Sequence, residues 1–153
     1  RWRHEGRGAG KSVTSRSMMM THRYIGTKEV VAWSAQKDGK DGYGVKYEDG
    51  YTSWSPKDTF EKAYRTSEPG MPQSLTFGDA LHYLKLGNRV ARSGWNGKGL
   101  WLEIQRPDTR SKMTLAYVFL NYPDDAQNTP GARVPWLASQ TDMLAEDWAV
   151  LGA

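Results

Sequence analysis

The sequence predicts an α+β fold: a small antiparallel sheet with short helices, preceded by a β-hairpin-plus-helix module. Three observations carry this. Short runs such as Tyr43-Gly44-Val45-Lys46-Tyr47 and Arg89-Val90-Ala91-Arg92 alternate in the period-2 manner of half-buried strands. Turn chemistry (Lys37 through Gly42, Glu48-Asp49-Gly50, the glycines of 94–99) separates them at short intervals. Extended helical periodicity occurs once, where Phe77, Ala80, Leu81 and Leu84 fall at i, i+3, i+4 and i+7.

Taken in order, residues 1–23 read as a disordered Gly/Ser/Arg leader, with order starting near Met20. A misplaced start or a cloning remnant accounts for such a leader. Residues 24–65 form a small accessory module. Val30-Val31-Ala32-Trp33 is a strand, Lys37 through Gly42 a turn, Tyr43–Tyr47 a second strand, and Tyr51-Thr52-Ser53-Trp54 the returning strand after Glu48-Asp49-Gly50. Ser55 is expected to cap a helix with Pro56 in its first position and Phe60, Ala63 and Tyr64 on its apolar side. Residues 66–74, with two prolines and no periodicity, form a linker.

Residues 75–153 form the second domain. Thr76 and Asp79 have capping-box spacing, and Gly87 ends that helix. Strands follow at Arg89–Arg92, Leu100–Ile104, Leu115–Leu120, Arg133–Trp136 (edge-like) and Asp147–Leu151, with a helical turn from Ser139 or Thr141 through Ala145. Residues 121–132 are a loop.

Composition narrows the function classes. The 153 residues contain no cysteine, which removes disulfide scaffolds, thiol catalysis and Cys-ligated metal. His4, His22 and His82 lie far apart, in no ligand spacing, so no metal or other cofactor is expected. No apolar run reaches the ~20 residues of a membrane span, and no signal peptide is evident, so a cytosolic protein is expected. The net charge of +4 sits in residues 1–19, with five bases against one acid, while the remaining 134 residues carry 16 of each. A folded nucleic-acid binder gathers cations on its folded part, so no nucleic-acid partner is expected. Gly6-Arg7-Gly8-Ala9-Gly10-Lys11-Ser12 imitates a phosphate loop, but has three residues before Gly-Lys-Ser instead of four and no preceding strand.

Candidate chemistry is sparse. No Ser/His/Asp set is evident. Asp142, Glu146 and Asp147 cluster, yet their spacing brings no carboxylate pair together unless the chain bends after the helix. The unusual feature is tryptophan, seven in all. Packing is the plain expectation for Trp33, Trp54 and Trp148. Trp95 differs, because glycines and Asn96 surround it, and such a loop lets backbone N–H groups approach a ligand. An indole face beside an amide and backbone donors suits a purine with phosphates. Ser139-Gln140-Thr141-Asp142 is a second polar patch at a helix start, where free N–H groups receive anions as readily as they receive a capping side chain.

Three segments together resemble a known family. They are Leu75-Thr76-Phe77-Gly78-Asp79-Ala80-Leu81; Gly87 through Gly99, including Gly94-Trp95-Asn96-Gly97; and Val134 through Trp148, including Trp136-Leu137-Ala138-Ser139-Gln140-Thr141-Asp142-Met143. Residues 75–151 resemble the second family of phage Thoeris anti-defence proteins, and the module before them resembles an accessory region of small phage proteins. The resemblance implies a signal sponge in the host cytoplasm. Such proteins bind cyclic ADP-ribose-type signals, in particular glycocyclic ADP-ribose, without cleaving them, and some bind cyclic dinucleotides. It implies homo-oligomers, commonly tetramers, with pockets between subunits. By motif position it assigns base stacking to Trp95 and a polar contact to Asn96. Ser139, Gln140, Thr141 and Asp142 take ribose and phosphate contacts, and Arg89, Arg92 and Arg133 are candidate phosphate partners. The competing classes are a structural or protein-binding phage module and an enzyme that hydrolyses the signal.

Overall fold

A computed structural model describes residues 19–153. The leader expected over 1–23 lies outside the described residues up to position 18, and residues 19–23 belong to no helix or strand. The elements are β1 (Val31–Lys37), β2 (Lys40–Lys46), β3 (Thr52–Pro56), α1 (Lys57–Ala63), α2 (Phe77–Lys85), β4 (Arg89–Arg92), β5 (Trp101–Gln105), β6 (Tyr117–Asn121), β7 (Arg133–Pro135), α3 (Gln140–Leu144) and β8 (Trp148–Gly152). They build two antiparallel sheets, one ordered β1-β2-β3 and one ordered β7-β6-β5-β4-β8. The class is α+β, as the alternating patterns imply.

In the first sheet the turn between β1 and β2 is tighter than expected. Asp38 and Gly39 both take positive φ, 51° and 74°, and these two residues close the hairpin. Lys40, Asp41 and Gly42, expected in the turn, therefore pair as strand. The helix start also differs. Ser55 is the penultimate residue of β3, and Pro56 occupies the N-cap of α1 with no side-chain cap bond. The ladder extends to Pro56, which pairs with Gly42, so Ser55 is held extended and α1 begins one residue later than a serine cap requires. Helix α1 covers the face of β2 that carries Tyr43 and Val45. Tyr43 stacks on Phe60 with centroids 4.3 Å apart, and Val45 is buried. Trp33 is on the opposite face and 48% exposed, contrary to the core position expected for it, because among the described residues no helix covers that side.

The second sheet holds the main core. Leu75, Ala80, Leu84, Val90, Leu102, Trp148 and Val150 are buried together between α2 and the sheet. At ~25 cal/mol per Å², each large side chain here contributes ~1.5–3 kcal/mol of burial. Both halves of the capping box on α2 form: Thr76 Oγ1 accepts from the Asp79 amide at 3.2 Å, and the Thr76 amide donates to Asp79 Oδ2 at 3.0 Å. Gly87, at φ 91°, turns the chain into β4.

Strand β8 closes the sheet as an edge strand, and that edge is covered. The Leu75 and Trp148 backbones exchange hydrogen bonds at 3.0 and 3.1 Å. The Gln73 side chain then donates to the Val150 carbonyl at 2.9 Å and accepts its amide at 3.0 Å. Leu75, with the Gln73 side chain beside it, thus serves as a partial sixth strand. Contacts from the module to α2 are polar: Arg65 pairs with Asp79 at 2.8 Å, and the Tyr83 hydroxyl donates to Glu29.

Candidate functional site

The site forms where β4 ends, at one end of the second sheet. Val90 faces the core, so Arg92, two residues on, points the same way and reaches beneath α3. The following loop, 93–100, is fixed at its start. The Ser93 amide donates to the Asp147 carbonyl at 3.1 Å, and the Gly94 amide donates to Asp147 Oδ2 at 2.7 Å. A Cβ at residue 94 would collide with that same carboxylate, which explains the glycine.

Asp142 organises the rest. It lies in the first turn of α3 and is 8% exposed. Its Oδ1 accepts from Arg92 Nη1 at 2.8 Å and from Trp95 Nε1 at 3.0 Å. Its Oδ2 accepts from the Ser139 hydroxyl at 2.8 Å and the Ser139 amide at 3.1 Å. Burial pushes this carboxyl up, but the bonds from Trp95, Arg92 and Ser139 outweigh it and hold the pKa at about 2. Asp147 takes the other side of the guanidinium, with Arg92 Nε donating to Oδ1 at 2.8 Å. The Arg92 hydrogen bond is the main reason the Asp147 carboxyl is also lowered, with burial opposing it. Hydrogen bonds to Asp147 and then Asp142 raise Arg92 above its ordinary value. The two acids do converge, but on a cation and not on a shared proton. The bend that brings them together is Ala145, extended at φ −69° and ψ 147° directly after α3.

The Trp95 indole is held from two directions. Its N–H is bonded to Asp142, and its ring meets Trp148 edge-on at 5.5 Å and Trp136 at 6.4 Å. Trp148 is fully buried, as expected, and donates to the Asp142 carbonyl at 3.0 Å. Beside Trp95 opens a cleft of ≈ 250 Å³, lined among others by Arg92, Ser93, Trp95, Lys98, Leu100 and Leu151.

The sequence-derived residues separate into groups. Trp95, Arg92, Ser139 and Asp142 form one connected hydrogen-bonded set. Asn96, Gln140 and Thr141 are exposed near it. Arg89 is on the other face of the sheet, its guanidinium carbon 5.8 Å from the Trp101 ring centroid and its buried Nε unpaired. Arg133 is on edge strand β7, three strand positions from β4, ~14 Å across the sheet. The three arginines do not meet within one protomer. Asp147 and Lys98 join the site in the structure without being among the binding residues that the sequence suggests. In the sequence Asp147 stands out as one of three clustered acids and as part of the family-like segment ending at Trp148, and Lys98 as part of the family-like glycine loop; neither pattern assigns it a contact. Among the described residues no group of His, Asp or Glu is arranged to hold a metal ion, and no helix is long and apolar enough to cross a membrane.

Comparison with known proteins places this geometry. Residues 75–151 match the Thoeris anti-defense 2-like domain. The chain belongs to the Thoeris anti-defense 2-like family. Thoeris anti-defense 2 of Bacillus phage SP01 is 36% identical over 92 residues, which cover 53% of this chain and 99% of that protein. The family match spans the five-stranded sheet, α2, α3, the 93–100 loop and the Asp142 hub. The first sheet and α1 precede it in the chain.

Proposed function

We propose that the protein is a phage anti-defence protein that binds and sequesters a cyclic ADP-ribose-type signal, in particular glycocyclic ADP-ribose, without cleaving it. The observation that carries this is the Trp95 indole, locked by Asp142 at the mouth of a glycine-rich loop within the family-matched segment. A stacking platform held by two fixed contacts loses little entropy on binding, which favours affinity and slow release. Asn96, Gln140 and Thr141 supply polar contacts from the rim, whereas Ser139, Asp142 and Arg92 position the platform.

Turnover has less support. A general acid or base needs a pKa near the working pH, and both carboxylates here are lowered. The cleft, at ≈ 250 Å³, is below the ~300–1,000 Å³ of typical ligand pockets. A second copy that completes it is the arrangement we propose, in agreement with the homotetramer implied by the resemblance. The host cytoplasm, where such signals are made, is the place of action.

The test is retention followed by release. The protein is incubated with glycocyclic ADP-ribose and separately with cyclic dinucleotides, free ligand is quantified by chromatography, and the protein is then boiled. Depletion with intact recovery supports sequestration and identifies the ligand class. Breakdown products would make it an enzyme, and no depletion would favour a structural or protein-binding module. Trp95→Ala is expected to abolish depletion in a protein that stays folded and oligomeric. Retained affinity would remove the stacking role.

A further inference from the structure

The first sheet has a face that no element among the described residues covers, and its chemistry is not that of a core. The register assigns its residues: Val31, Trp33, Ala35 and Lys37 on β1; Lys40, Gly42, Gly44 and Lys46 on β2; Thr52, Trp54 and Pro56 on β3. Three are lysines and none is acidic. Asp41 is on the opposite face, and the nearby acids Asp38, Glu48 and Asp49 lie in the two turns.

The two indoles lie flat on the central strand. A Cβ at Gly44 would collide with the Trp33 ring, and one at Gly42 with the Trp54 ring. Both rings therefore rest on glycine backbone, about 7 Å apart along β2, with their other faces outward. Trp54 is fixed further by its N–H, which donates to the Ala35 carbonyl at 2.9 Å. Trp33 is half exposed.

The cations are arranged at a cost. Lys37 and Lys40 are directly opposite each other across the hairpin, a like-charge pair that weakens a ladder. The Lys37 ammonium is 6.0 Å from the Trp54 ring centroid, and Lys46 is at the far end of the same face. An anion lying along β2 relieves the Lys37–Lys40 repulsion and leaves both indoles free to stack.

We propose that this face binds single-stranded nucleic acid, with neighbouring bases stacked on Trp33 and Trp54 and the phosphate backbone neutralised by Lys37, Lys40 and Lys46. Flat aromatic rings flanked by cations on an open sheet form the usual platform for single strands, because every base has a π-face. The overall charge balance hides this. Bases and acids nearly cancel in the folded part as a whole, and the antiparallel register alone sorts the lysines onto one side. The inference is independent of signal binding, since the face lies outside the family-matched segment.

The experiment measures anisotropy of labelled oligodeoxythymidylate and oligouridylate with the full chain, across a salt series. Trp33→Ala is expected to weaken binding at least about fivefold. Lys37→Gln combined with Lys40→Gln is expected to lower the log–log salt slope by about 0.7 per lysine. These lysines are exposed and carry none of the core, so the double variant reads binding even if Trp33→Ala perturbs the sheet. The basic residues of 1–19 are present in every variant and cannot produce a difference between them. Equal binding by parent and both variants overturns the proposal. So does equal affinity for duplex DNA, or no binding at all, which would leave the face to a protein partner.

Discussion

Replacing Asp142 with asparagine preserves the shape of the side chain but removes its charge and one of its two acceptor oxygens. Four donors converge on this carboxylate: Arg92 and Trp95 on Oδ1, and the Ser139 hydroxyl and amide on Oδ2. An amide accepts on one side only, so its NH₂ group must face donors on the other, and each orphaned buried donor costs ~1–3 kcal/mol. The lowered pKa is an overlapping measure of the same bonds. A folded pKa of about 2 against the ordinary 3.8 corresponds to about 2 kcal/mol at neutral pH. Arg92 keeps Asp147, which limits the damage. The expected loss is roughly 3 kcal/mol, read from urea unfolding followed by tryptophan fluorescence. The sign of the pH dependence follows from a lowered pKa. The stabilisation is complete above about pH 4 and disappears as pH falls towards 2, because the wild-type carboxyl then protonates. The gap between wild type and Asp142→Asn should therefore narrow over that window. A loss below about 0.5 kcal/mol at neutral pH, the level of an unimportant surface change, would refute the hub. So would a gap that does not change with acid.

Further outcomes follow from the same geometry. Gly94→Ala places a Cβ against the Asp147 carboxylate and breaks its bond to the loop; a loss of ~1–3 kcal/mol and faster amide exchange at Ser93–Trp95 are expected, and unchanged exchange would contradict this. Thr76→Ala removes the capping box of α2 and should cost ~1 kcal/mol in thermal unfolding. Arg65→Ala breaks a pair that is 41% and 21% exposed on its two sides, so less than ~1 kcal/mol is expected by the same assay. Lys98→Gln should weaken signal binding about tenfold in calorimetry, the weight of a lost charged hydrogen bond, while leaving stability unchanged; equal affinity would remove Lys98 from the site.

What was legible in the sequence was what local physics determines. Helix α2 announced both its cap and its buried stripe, because Thr76, Asp79, Phe77, Ala80 and Leu84 all lie within nine residues. The Asp49-Gly50 turn and the period of β4 were legible for the same reason. Helix α1 was misjudged by a residue, since its start is decided by how far β3 pairs with β2, a contact that Ser55 does not encode. The exposure of Trp33 is not legible, because alternation gives the face of a residue but not what covers that face. The Asp142 hub lay further out of reach. Arg92 is 50 residues from one carboxylate and 55 from the other, and they meet only because Ala145 leaves α3 in an extended conformation. Trp95 and Asp142 were both singled out, yet the bond between them was not readable from either.

That bond changes how the polar patch 139–142 is understood. At a helix start, Ser-Gln-Thr-Asp serves either as a cap or as an anion receptor, and here it divides between the two duties. Ser139 and Asp142 face each other and satisfy the first turn internally, while Gln140 and Thr141 remain outside. The consequence for recognition is electrostatic. Arg92 is surrounded by two carboxylates, so the interior of the site is net negative before any ligand arrives. A pyrophosphate cannot be drawn in by that guanidinium. On the function proposed above, it would find its donors at the rim, from Lys98 and from the loop amides that Asp147 does not occupy. On that reading the stacking surface would come from within one chain and the neutralising charge largely from outside its interior. Under the proposed function, such a division would be a physical reason for the site to be completed by a second copy, because the rigid aromatic platform of one chain sits beside a net negative interior.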